Sequence, residues 1–186
     1  MKKNVLLYLF LSVTPVSFAA GAVTTTAYSE GNLFPYITVQ SLEDRQVSLP
    51  YEVTSTGKIS LVTIAFSKPD DNDISSWVKP FIDNFEGNSK TTYFEIALVG
   101  DIGILNGLIF NNMRGGTSGD RKKHVLVYFK DKDVYKRMLN ISDDSLIYVY
   151  LLDKHGLIKL IKSGKKASKK DTEDINNVAR TLFNLQ

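Results

Sequence analysis

Asp70, Asp71 and Asp73 stand together, directly after Ser67-Lys68-Pro69 and directly before Ile74. Three carboxylates this close could hold a hard cation through oxygen. They lack the central glycine and distal glutamate of an EF-hand loop. Ahead of an apolar periodic run, the same residues suit a helix N-terminus, as caps and as negative charge near the positive end of the dipole. The second reading is the one adopted. His124 and His155 are the two histidines. A histidine-based metal site would need both to converge with a carboxylate. Ser67, Ser75 and Ser76 have no nucleophile-elbow sequence and no obvious base beside them, so they read as capping and surface hydroxyls. Arg114-Gly115-Gly116 does not match a Walker loop. The chain has no cysteine. That removes thiolate nucleophiles, disulfide exchange and cysteine-ligated metal. The residues therefore predict no catalytic group, no resident metal and no cofactor.

The N-terminus reads as a secretory signal over residues 1–22. Lys2 and Lys3 form a positive start, and Val5 to Val13 is an apolar run. Ser17-Phe18-Ala19 and Ala20-Gly21-Ala22 both offer small residues for cleavage, after Ala19 or Ala22. The run is short of the ~20 apolar residues a membrane span needs. The expected address is periplasmic or secreted. A net charge of +3 less Lys2 and Lys3 leaves +1. A nearly neutral mature chain carries no nucleic-acid signature.

Residues 23–33 are small and polar and read as a flexible lead-in, with one domain over 34–186. Phe34 to Val39 and Gln46 to Leu49 alternate around the charged turn Glu43-Asp44-Arg45. Ile59 to Phe66 is nearly continuous in apolar character, as in a strand covered on both faces. Ile74, Trp77, Val78, Phe81, Ile82 and Phe85 recur at helical spacing. Thr92 to Val99 and His124 to Phe129 are further strands. Between them lies an apolar helix over Ile102 to Met113, then a glycine-rich loop from Asn111 to Asp120. Asp133 to Leu139 suits a short helix. Leu146 to Leu152 and Leu157 to Ile161 flank the turn Asp153-Lys154-His155-Gly156 as an antiparallel hairpin. Ser168 to Leu185 closes the chain as a helix with Ser168 and Asp171 in a capping box. The alternation predicts an α/β fold, with helices on both faces of a central mixed sheet.

This order, with Lys58 to Ser67 running into Trp77 and Phe81, resembles a thioredoxin-like three-layer α/β/α domain. The N-terminal strand or hairpin extension is that of peroxiredoxin-type members. The resemblance implies that cysteines would sit near Ser67 to Asp73, where none occurs. Ser67, Lys68, Pro69, Asp70, Asp71 and Asp73 thus form a degenerate active-site loop. Enzymes of this fold also carry a cis-proline before their fourth strand. The matching stretch, Ser142 to Leu146, has no proline. Over Ile59 to Phe183 the chain is similar to the mitochondrial ATP synthase assembly factors of thioredoxin-like fold, the Atp-ten family. The motifs are LVTIAFS, the helix with Trp77, HVLVYF and IYVYLLDKHGLIKLIKSGKKA. That family chaperones a membrane subunit of the synthase.

Two surfaces remain as candidates. In the apolar helix, Ile102, Leu105 and Ile109 make one face, while Ile104 and Leu108 point elsewhere. Ile104, Leu108 and Phe110 form the candidate partner patch. Lys159, Lys162, Lys165, Lys166, Lys169 and Lys170, with Arg121, Lys122 and Lys123, could face anionic lipid. They could equally be solvated lysines guarding an edge strand. The expected function is that of a redox-inactive envelope protein acting by protein binding, as an assembly factor or adaptor. The alternative is a metal-binding or enzymatic protein using Asp70, Asp71, Asp73 and a histidine.

Overall fold

β-branched, apolar Ile59–Ala65 forms a strand buried along its whole length. In the computed structural model the described residues are 28–66, 71–85 and 87–184. The expected signal segment 1–22 and the loop residues Ser67, Lys68, Pro69 and Asp70 lie outside them.

The strands are β1 (Ile37–Ser41), β2 (Gln46–Leu49), β3 (Ile59–Ala65), β4 (Thr91–Leu98), β5 (Val125–Tyr128), β6 (Ile147–Leu152) and β7 (Ile158–Gly164). They make one sheet in the order β2-β1-β5-β4-β3-β6-β7. β3, β4 and β5 are parallel. The β1–β2 hairpin adds antiparallel to β5, and the β6–β7 hairpin adds antiparallel to β3. The helices are α1 (Tyr51–Thr56), α2 (Asp71–Asn84), α3 (Leu105–Gly116), α4 (Lys132–Met138) and α5 (Lys169–Asn184). A 3-10 turn, Gly119–Lys123, leads into β5.

Side chains alternate across each strand, so the sheet serves two cores. Ile59, Leu61, Ile147, Val149 and Leu151 pack against Trp77, Val78 and Phe81 of α2 and Ile175 and Ala179 of α5. Val62, Ile64, Ile96, Tyr150 and Leu152 face the other way, toward Val53 of α1 and Tyr135 of α4. Glu95 pairs in register with Val125, and Tyr93, two residues earlier on the same face, packs with the α2–α5 core. Val125 and Val127 therefore share that face, and Phe110 of α3 covers them with Leu42. The result is three layers, with α2, α3 and α5 on one side and α1 and α4 on the other.

Local chemistry accounts for the helix ends. Asp71 and Asp73 occupy the first turn of α2. Ser168 and Asp171 close a reciprocal box ahead of α5: Ser168 N–H donates to Asp171 Oδ2 (3.0 Å) and Asp171 N–H to Ser168 Oγ (3.2 Å). Gly164 ends β7 against the Trp77 ring, where a Cβ would stand 3.4 Å from Cζ2. The expected lead-in is held where it is described. Gly31 N–H donates to Ile158 O, and Leu33 bridges Leu157.

Two expectations are corrected. α1 was not anticipated: its six residues YEVTST are mostly β-branched or polar. Val53, fully buried, holds it in place. The glycine-rich stretch expected as a loop from Asn111 is helical through Gly116. One tertiary ion pair and two contacts within the helix hold its last turn together past two poor helix formers. Arg114 lies 4.8 Å over the Phe110 ring and pairs with Asp44, and Thr117 Oγ1 donates to Met113 O at 2.7 Å.

Candidate functional site

The parallel strands end, at their C-terminal edge, in the β3–α2 connection, the segment between β4 and α3, and the stretch between β5 and α4. In the segment before α3 the backbone is fastened by its own polar side chains. Asp101 Oδ1 accepts from Gly103 N–H and from Asn106 Nδ2, both at 2.9 Å, and Asn106 Oδ1 accepts from Ile102 N–H at 3.0 Å. Gly103 takes φ +63°, the left-handed region that favours glycine. The Gly103 amide, then Asn106, holds the Asp101 carboxyl below its usual range. This clasp sets Ile104 outward, 97% exposed, with Leu108 on the following turn at 58%. Ile102 and Leu105 are exposed as well. Phe110, the third residue of the expected patch, is 8% exposed and belongs to the core under α3. The exposed surface is thus Ile102, Ile104, Leu105 and Leu108. Residues 102–113 include no charged side chain.

Of the acidic cluster, Asp71 and Asp73 are described, both in the first turn of α2, and each faces a basic side chain. Asp71 stands 3.9 Å from Arg121, and Asp73 stands 3.3 Å from Lys166. His124 precedes β5 and His155 lies in the β6–β7 turn, both at the opposite end of the parallel strands from Asp71. Among the described residues no three histidine, cysteine, aspartate or glutamate side chains converge to hold a metal. Ser76 Oγ accepts from Ala167 N–H and donates to Asp73 O, a structural linkage between α2 and the approach to α5. The described cis peptide is Leu49–Pro50, between β2 and α1 and away from the start of β6.

The lysines divide into two groups. Three of those on β7 and α5 are matched by carboxylates: Lys162 with Asp174 (2.6 Å) and Asp171 (3.5 Å), Lys159 with Asp153, and Lys169 with Glu173. β7 is an edge strand, where such charges discourage pairing with another chain. Lys122 and Lys123 stand before β5, with β4, β3 and β6 between them and β7.

One polar constellation was missed. Glu95 sits mid-strand at 4% exposure, and Arg121 reaches down to it with Nε to Oε1 at 2.9 Å and NH2 to Oε2 at 2.6 Å. The hydrogen bond to Glu95 raises the Arg121 pKa, and burial pushes the Tyr93 hydroxyl up to about 12. A bidentate guanidinium occupies both carboxylate oxygens. This is a strut joining the 3-10 turn to the sheet between α2 and α3. Its signal in the sequence was a lone carboxylate inside TYFEIALV.

A thioredoxin-like scaffold without a thiol, carrying a fastened apolar projection at the edge of the parallel strands, is the class of molecule these features define. The chain belongs to the ATP10 protein family, whose model matches residues 28–182. No curated protein matches it in sequence. Among solved structures it is similar to the thioredoxin domain of a thiol-disulfide oxidoreductase from Bacteroides vulgatus, with 16% identity over 84% of this chain and 99% of that one, TM-score 0.56. A thiol:disulfide interchange protein DsbE from Chlorobium tepidum matches at 15% identity over 84% and 99%, TM-score 0.55. A thiol peroxidase from Chromobacterium violaceum matches at 8% identity over 84% and 88%, TM-score 0.54. At these identities the likeness establishes the thioredoxin-like fold. It does not bring the thiol chemistry, for which this chain has no cysteine.

Proposed function

We propose that this protein works without catalysis, by binding another protein, as an assembly factor or adaptor. The observation that carries the reading is membership of the ATP10 family on a thioredoxin-like scaffold that lacks every cysteine. The contact surface in this proposal is the segment with Ile102, Ile104, Leu105 and Leu108. Four exposed aliphatic side chains on an uncharged stretch suit the apolar centre of a protein contact. Export to the bacterial envelope, after removal of residues 1–22, is part of the same proposal. It is supported by the Lys2-Lys3 start and the apolar run Val5 to Val13.

The test is affinity capture from the native envelope with the wild-type chain and with the Ile104→Asp, Leu108→Lys double variant. A specific protein retained by the first and lost by the folded second supports the reading. Equal retention by both moves the contact surface elsewhere. Reduction of insulin disulfides or of peroxide by the pure protein above a buffer blank would overturn the non-catalytic reading. N-terminal sequencing of the mature protein tests the export step, with residue 20 or 23 expected first.

A further inference from the structure

At the other end of the parallel strands, a groove of about 280 Å³ opens between the β1–β2 turn, α1 and the starts of β4 and β5. Phe94 is among its apolar lining residues. The polar groups come from separate segments: Glu43 and Arg45 from the turn, Glu52 from α1, Lys58 before β3, and Lys123 and His124 before β5. Arg45 and Glu52 pair across it at 3.0 Å. Among the described residues Lys58, Lys123 and Glu43 have no ion-pair partner. Lys58, Lys123, Glu43 and His124 line the same groove.

The state of His124 is set by its neighbours. Its Nδ1 lies 2.9 Å from the Tyr93 carbonyl oxygen, which can only accept, so Nδ1 carries the proton. The ring stacks on Tyr93 with centroids 4.1 Å apart. Burial lowers the imidazole pKa and favours the neutral form. A neutral ring protonated on Nδ1 leaves Nε2 as a bare acceptor.

The groove therefore combines strong donors with strong acceptors. Lys58, Lys123 and the free edge of the Arg45 guanidinium donate. Glu43, Glu52 and His124 Nε2 accept. A fully ionised oxyanion such as sulfate meets attraction from the first set and repulsion from the second. An oxyanion that still carries a proton satisfies both. We infer that this groove binds inorganic phosphate, which keeps a proton at pH 7, and selects it over sulfate and over phosphate monoesters, whose last proton is mostly lost at that pH. A phosphodiester headgroup has no such proton and is a poor fit.

The experiment is a titration of the full chain at pH 7 and constant ionic strength, read by amide chemical shifts. The probes are inorganic phosphate, glycerol 3-phosphate, sulfate and phosphatidylglycerol vesicles. Saturable shifts at Thr92, Lys123 and His124 are expected with inorganic phosphate, and weaker ones with glycerol 3-phosphate, most of which has lost its last proton at pH 7. Sulfate should bind about tenfold more weakly, because acceptors built for a proton are left unpaired. Lys58→Glu and Lys123→Glu should each raise Kd about tenfold. Glu43→Gln should improve sulfate binding and narrow the preference, a gain that misfolding cannot mimic. Lys170→Glu, distant from the groove, should change nothing. Absence of saturable shifts at the groove, equal affinity for phosphate and sulfate, vesicle binding stronger than phosphate binding, or an unchanged preference in Glu43→Gln would each overturn the assignment.

Discussion

α2 and α3 cover the same face of the same sheet, each following a parallel strand, yet they use their apolar residues differently. α2 buries Trp77, Val78 and Phe81 against β3, β6 and α5. α3 buries Phe110 alone and leaves Leu105 and Leu108 in solvent, just after the equally exposed Ile102 and Ile104. The reason is what each helix meets. α2 lies over the centre of the sheet with α5 beside it. α3 lies over β5, where Leu42, Val125 and Val127 make a small core that one aromatic ring fills. A segment with more apolar residues than its core can accept must show them to solvent or to a partner.

The largest effect expected is on the α2 side. Trp77→Ala should cost about 3–5 kcal/mol, since Trp77 is 1% exposed and its neighbours cannot collapse into the void. A chemical denaturation series measures this, and unchanged stability would break the contrast at its stronger end. Phe110→Ala should cost about 3 kcal/mol, at the lower end of aromatic truncations because its cluster is small and reaches the surface. If Phe110→Ala equals or exceeds Trp77→Ala, α3 is as firmly held as α2 and the contrast fails.

Substitution of the exposed residues should do almost nothing to the fold. Ile104→Asp with Leu108→Lys is expected to shift stability by less than about 0.5 kcal/mol. Thermal melting that falls well beyond this would place the pair under cover, and the surface reading would be lost.

The smallest effect is a titration. Hydrogen bonds from Gly103 and Asn106 depress the Asp101 pKa below 3.8, and the Ser168 hydroxyl does the same for Asp171 at the start of α5. A depressed carboxylate contributes stability that is present above its unfolded value of 3.8 and is lost as pH falls through the lower folded value. Amide protection at Gly103 and at Ser168, taken relative to the intrinsic exchange rate at each pH, should therefore fall together in acid. Asp101→Ala should speed exchange at Gly103 already at neutral pH and leave Ser168 unaffected. A clasp that survives this change would mean that the backbone alone sets Ile104 outward.

Much of the fold was legible along the chain because it rests on short-range signals. The apolar run Ile59 to Phe66, the helical spacing of Trp77, Phe81 and Phe85, the hairpin around Asp153 to Gly156 and the box of Ser168 with Asp171 each declare themselves within a few residues. The absence of cysteine was equally plain. The site was less legible. Asp71 and Asp73 share the first turn of α2, but each faces its own basic partner, Arg121 or Lys166, contributed from elsewhere in the chain. Phe110 was grouped with Ile104 and Leu108 because all three are apolar. Its direction depends on where α3 begins, and the Asp101–Asn106 clasp sets that.

By itself the sequence determined the order of the strands and of the helices other than α1, the α/β class and the lack of thiol chemistry, since periodicity and residue type are properties of neighbours along the chain. Tertiary structure alone decided that Glu95 meets Arg121, that Arg114 of α3 meets Asp44, and that nine residues from five segments line one groove. These contacts join residues far apart in sequence. Their free energy depends on packing and desolvation around each group, which no local pattern encodes.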